Sequence, residues 1–180
     1  MAVKSNFASG EVLTASDVNT YLTNGGLVYI TEVTVGSGVA SVTVSNCFSS
    51  TYDSYVIVDS GGSMSSDTAY GMTLGSATTG YYYFLTYGSY AGTTVSGDNG
   101  NNTTKWAHAG GGGARSGHIV VLNPYLAMAT DIQAKVRYGT VYGTEIGHRG
   151  DNVSYTSFTL TPASGTMSNG KIRVYGYRQA

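Results

Sequence analysis

The sequence is short of the residues that staple, break or charge a protein. It holds one cysteine, Cys47, so no disulfide forms within the chain and an oxidising secretory route is not indicated. Between Val44 and Phe48, this thiol reads as a small buried apolar group. Charged residues make up only 11%, against a usual share of about 25%. The net charge of -1 offers no basic patch for phosphates, so no nucleic-acid partner is expected. Lys171, Arg173 and Arg178 come nearest to one, and they read as a solvated strand face. No uncharged apolar run is long enough to span a bilayer, so no membrane insertion is expected. The start, Met1 to Leu13, lacks the apolar core of a signal peptide, which predicts assembly in a cytoplasm.

Catalytic chemistry is equally thin. His108, His118 and His148 fall in no metal-ligand spacing, and no nucleophile sits beside a base. Glu145 and Asp151 flank His148, but nothing marks them as a glycosidase pair. Asp98 to Asn102 superficially resembles a calcium loop but offers one carboxylate and no terminal glutamate. Gly110 to Gly113 is followed by no Lys-Ser/Thr, so it is not a phosphate loop. Arg149-Gly150-Asp151 reads as a chance turn. The expectation is a non-enzyme without metal or cofactor.

What is present is glycine and tyrosine. Gly occurs 26 times and Tyr 16 times, with Phe at 4 and Trp at 1. Hydrophobic residues hold at 41%, which supports a packed core rather than disorder. A surface made of Ser, Thr, Asn, Gly and Tyr carries little repulsion and suits a chain that sits in an assembly.

Thr14 suits an N-cap, and Val18, Tyr21 and Leu22 share one helical face that stops at Asn24-Gly25-Gly26. Leu13 can staple against Val18. Two turns of helix cannot stand alone in water, so this segment must dock on something. Residues 1–26 are therefore separated from a domain at 27–180. In that domain about nine strands alternate with turns: Leu27 to Val35, Val39 to Val44, Tyr55 to Asp59, Ala69 to Leu74, Tyr81 to Tyr87, His118 to Leu122, Asp131 to Val141, Tyr155 to Pro162 and Lys171 to Tyr177. Ser60-Gly61-Gly62 reads as a stop. With no strand–helix–strand alternation, the pattern predicts an all-β, antiparallel β-sandwich of jelly-roll type.

The stretch Gly88 to Gly117 reads as a long polar loop, with Trp106 in its middle. Tyr81, Tyr82, Tyr83, Tyr87 and Tyr90 cluster just before it. Tyrosine and tryptophan give large rigid contact area with a polar tip, so these five residues and Trp106 are candidates for contact with a host surface or a partner subunit. Packing inside the domain is the alternative for each. Phe48, Tyr52 and Tyr55 bracket a hydroxyl-rich turn and are expected to lock it to the sheet.

Phe7 to Leu22 resembles the N-terminal segment of many small tailed-bacteriophage structural proteins. Asn46 to Val58, together with Gly170 to Gly176, is similar to β-sandwich proteins of phage tail fibres, tail tips and head fibres. The resemblance implies a virion location, with Phe7, Leu13, Val18, Tyr21 and Leu22 anchoring the chain to other virion proteins. It also implies a homotrimer whose β domain faces outward toward host-surface polysaccharide or protein. A head-fibre or capsid decoration protein and a free carbohydrate-binding module remain open alternatives.

Overall fold

The structure, a computed structural model, describes residues 26–177 together with Gly10 and Val12. The expected helix over residues 14–22 and its anchoring side chains Phe7, Leu13, Val18, Tyr21 and Leu22 lie outside the described residues.

Every element among the described residues is a strand. In chain order they are β1 (Leu27–Thr34), β2 (Val42–Val44), β3 (Ser54–Met64), β4 (Ala69–Leu74), β5 (Tyr81–Ser89) and β6 (Val95–Thr103). Then come β7 (Trp106–Gly111), β8 (Ala114–Leu122), β9 (Thr130–Tyr138), β10 (Val141–Arg149), β11 (Phe158–Pro162) and β12 (Met167–Tyr177). The expected all-β, antiparallel class is what the chain adopts, since every strand pair is antiparallel. One ladder runs β1-β12-β3-β8-β9-β10-β5-β6, and a shorter one runs β2-β11-β4-β7. They join through a single pair, Gly111 with Ser116.

Both ladders feed one core. Val44, Leu74, Trp106, Phe158 and Leu160 of the short ladder meet Tyr55, Ile57, Ile119, Val121, Ile132, Ile172 and Val174 of the long one. Each fully buried side chain of this size stabilises the fold by about 1.5–3 kcal/mol. Val44 and Phe158 alternate with Thr43 and Thr159 across one register, and the two threonine hydroxyls bond at 2.8 Å on the exposed side.

Three readings of the sequence need correction. Ser60-Gly61-Gly62 does not end a strand; β3 continues through it with a shifted register between Asp59 and Gly62. Gly61 adopts φ +76° there, so the glycines make a bulge rather than a stop. The bulge brings Asp59 against Arg115, Nε to Oδ2 at 2.7 Å with both side chains fully buried. Arg115 Nη2 also donates to the Asn169 carbonyl at 2.8 Å.

The stretch Gly88 to Gly117 is not a long loop, because it contains β6, β7 and the start of β8. β6 borders the long ladder with exposed side chains. Backbone pairing with β5 holds it, so it needs no apolar residues.

The segment after Tyr138 is also a separate strand. β9 and β10 form a hairpin in which Tyr138 pairs with Val141. Gly139, at φ +51°, opens the two-residue turn, a position where glycine relieves steric strain.

The turn lock is as expected. Tyr55 accepts from the Ser49 amide and donates to its carbonyl, both at 2.8 Å. Its ring lies edge-on to Phe48 at 4.8 Å and to Tyr52 at 6.0 Å.

Candidate functional site

Alternation sorts the tyrosine cluster onto two faces of β5. Tyr81, Tyr83 and Tyr87 point inward with Leu85, while Tyr82, Phe84 and Thr86 point outward and are exposed.

Tyr81 and Trp106 offer no surface to a partner, which corrects the contact role expected of them. Both are fully buried, and their rings meet edge-on at 4.9 Å. The Tyr81 hydroxyl accepts from the Leu74 amide at 2.7 Å, and the Arg149 guanidinium sits 4.6 Å above its ring. Trp106 Nε1 donates to the Tyr82 carbonyl at 3.2 Å. The polar residues around Trp106 in sequence hid its place on an inward-facing strand position.

Tyr83 and Tyr87 are half-buried. Tyr83 packs edge-on to His108 at 5.8 Å, and His108 stacks on Tyr138 at 6.2 Å. The His108 Nε2 reaches Asp98 of β6 at 3.1 Å. Beneath them lies Glu145 of β10, fully buried, whose Oε2 accepts the His108 amide at 3.0 Å. At this position β7 has no strand neighbour on that side, and the carboxyl group takes a strand's place as acceptor. Burial pushes the Glu145 pKa up to about 8, against the lowering effect of the amide donors at 107 and 108. Among the described residues, no group of three or more His, Cys, Asp or Glu side chains is placed to hold a metal.

Arg149 and Asp151 are turned on one another. Arg149 Nη2 bonds Asp151 Oδ2 at 2.7 Å, and Nε bonds the Tyr155 hydroxyl at 2.7 Å. With the arginine buried, the Arg-Gly-Asp tripeptide is not presented to solvent as an adhesion loop.

The outward face of the long ladder is the candidate site. Register places Phe84, Ile146, Gln133, Val120, Val56, Tyr175 and Tyr29 in one row across seven strands. Phe84 is 57% exposed, Ile146 61% and Tyr29 54%. A parallel row runs Tyr82, His148, Asp131, Leu122 and Ser54. On the other flank lie Thr86, Thr144, Lys135, His118, Val58, Arg173 and Glu32. The row is exposed and apolar at its two ends, Phe84 with Ile146 and Tyr29, while the exposed Gln133 and the buried Val56 lie between them. Tyr82 and Tyr90, two of the expected contact residues, are exposed, and Tyr82 belongs to this face.

Phe84, Ile146, Tyr142 and Tyr29 were not legible as a surface. Ile146 is the lone large aliphatic residue between Gly143 and Arg149, in a segment to which the sequence pattern assigned no strand. The pattern is inverted there because inward positions 143 and 147 are glycines. A Cβ on Gly147 would strike the Trp106 ring, and one on Gly143 would strike Thr86 and Tyr87. The available signal was the alternation of Tyr142, Thr144, Ile146 and His148.

Comparison with protein-family models, with curated proteins and with solved structures finds no match to this chain.

Proposed function

We propose that this chain is a non-enzymatic structural component of a bacteriophage virion, a tail-fibre or tail-tip protein that contacts the host surface as a homotrimer. The observation that carries the oligomer is the row of exposed apolar side chains on this face, Phe84 beside Ile146 with Tyr29 at the far end, on a chain of low charge. Stripes of this kind on a monomer mark interaction sites. The two ladders sharing one core support a β-sandwich of jelly-roll type for the domain at 27–180. The anchoring role falls to residues 1–26, with Phe7, Leu13, Val18, Tyr21 and Leu22 gripping neighbouring virion proteins, as the resemblance implies.

The test is mass in solution, by sedimentation equilibrium, of the wild type and of a Phe84→Asp, Ile146→Asp double variant. The wild type is expected at three times the chain mass and the double variant at one. A monomeric wild type overturns the oligomer. Deletion of residues 1–26 is expected to leave the domain folded and to abolish incorporation into particles. Full incorporation of the truncated chain overturns the anchor. A head-fibre or capsid decoration protein would use the same anchor and face, and labelling of particles in electron micrographs separates head from tail. A free carbohydrate-binding module would bind its sugar unchanged after the deletion.

A further inference from the structure

Lys135 and Arg137 stand apart from the other cations of the long ladder. Arg115 is paired with Asp59, Arg149 with Asp151, and Lys171 and Arg173 with Glu32. Lys135 and Arg137 make no ion pair among the described residues, although Arg137 lies near enough to Asp67 to help hold its pKa low. Arg137 spends one donor on the Ala114 carbonyl at 3.1 Å. Both cations project outward from β9 two residues apart, about 7 Å along the strand.

They line a shallow depression of about 460 Å³ with Ser116, His118, Tyr142 and Thr144. Register sets Lys135 between His118 and Thr144, and Arg137 beside Tyr142. No carboxylate lines this hollow. At its rim Tyr142 meets Tyr90 edge-on, ring centroids 5.9 Å apart, and both are more than half exposed. The depression occupies the β9–β10 turn end of the face, beside the apolar row rather than under it.

We infer that this depression binds an acidic polysaccharide, with Lys135 and Arg137 taking a sugar carboxylate and Tyr142 stacking on a pyranose ring. Exposed aromatics give sugar rings a flat apolar seat. A paired cationic site with hydroxyls around it suits a carboxylate, for which Arg supplies a planar fork of donors. This deepens the host-contact reading above and rests on it. Nucleic acid is disfavoured because the chain carries a net charge of -1 and only two clustered cations here.

The test uses the full-length chain and polygalacturonate, against the same polymer with its carboxylates methyl-esterified, by titration calorimetry. Binding of the acid form is expected to be at least tenfold tighter than that of the ester. A Lys135→Gln, Arg137→Gln variant should lose at least tenfold in affinity, while a Lys105→Gln control should lose none. Tyr142→Ala should weaken binding without altering its salt dependence. Four results overturn the proposal: equal binding of acid and ester, a double variant with wild-type affinity, single-stranded DNA competing as well as the sugar, or no binding at millimolar uronate. Oligomer mass measured on the same samples keeps the two readings apart. An intact trimer that ignores polygalacturonate refutes the sugar site alone.

Discussion

The Trp106 indole lies against the bare backbone of Gly147, on a strand of the other ladder, in space that a side chain at 147 would need. The same arrangement recurs where Tyr83 covers Gly100, Tyr70 reaches over Gly117 and Tyr52 covers Gly176. High glycine and high tyrosine content are thus two sides of one packing scheme, in which a ring from one segment fills the room left by a missing side chain on a strand beside it.

Gly147→Ala should destabilise the protein by about 1–3 kcal/mol, the usual cost of overpacking a filled core. Urea unfolding followed by far-ultraviolet circular dichroism measures it, a signal that survives replacement of the single tryptophan. Combining Gly147→Ala with Trp106→Phe should cost less than the sum of the two single changes, because the residues share one volume. Strict additivity would contradict the contact.

Glu145 sets a pH dependence with a definite sign. Its folded pKa is raised from 4.5 to about 8, chiefly by burial. Between those values the folded chain keeps a proton that the unfolded chain has lost. Stability should therefore fall as pH rises through this window, by up to about 1.4 kcal/mol per pH unit, and level off above it. Glu145→Gln should remove that component of the slope while still accepting the His108 amide. Chemical denaturation at stepped pH compares the two proteins.

The buried Asp59–Arg115 pair predicts a large asymmetric cost. Arg115→Leu leaves a fully buried carboxylate without its partner, and a loss of about 3–5 kcal/mol is expected. Replacing both residues with apolar ones should be milder than replacing either alone. Thermal melts of the three variants decide it.

Cys47 should be inert in the folded state. Burial raises its thiol pKa to about 12, which leaves almost no thiolate at neutral pH to react. Labelling by a disulfide reagent should be negligible in buffer and complete in denaturant. Rapid labelling of folded protein would refute the burial.

The sequence reveals those strands in which one face is buried by side chains of the strand itself. The alternation of Ile132, Ala134 and Val136 marks β9, and the apolar run His118 to Leu122 marks the end of β8, just before Asn123-Pro124. β10 escaped because the inward positions 143 and 147 are glycines, crowded by Tyr87 of the neighbouring strand and by Trp106 of the other ladder, and β6 escaped because an edge strand buries almost nothing. Tyr82 was legible as a surface contact, but the row it flanks was not. Cross-strand register, which no linear pattern contains, is what brings Phe84 beside Ile146.

β6 also ends the long ladder, and its outer row of amides and carbonyls has no strand beside it. Asp98 turns inward from that strand to hold His108, tying the border to the layer beneath. Inward charges of this kind discourage a foreign strand from adding on. Pairing with β5 keeps the strand in place whether or not that contact is made, so the open border is the place where a second strand could zip on, and Asp98 is the one charge along it.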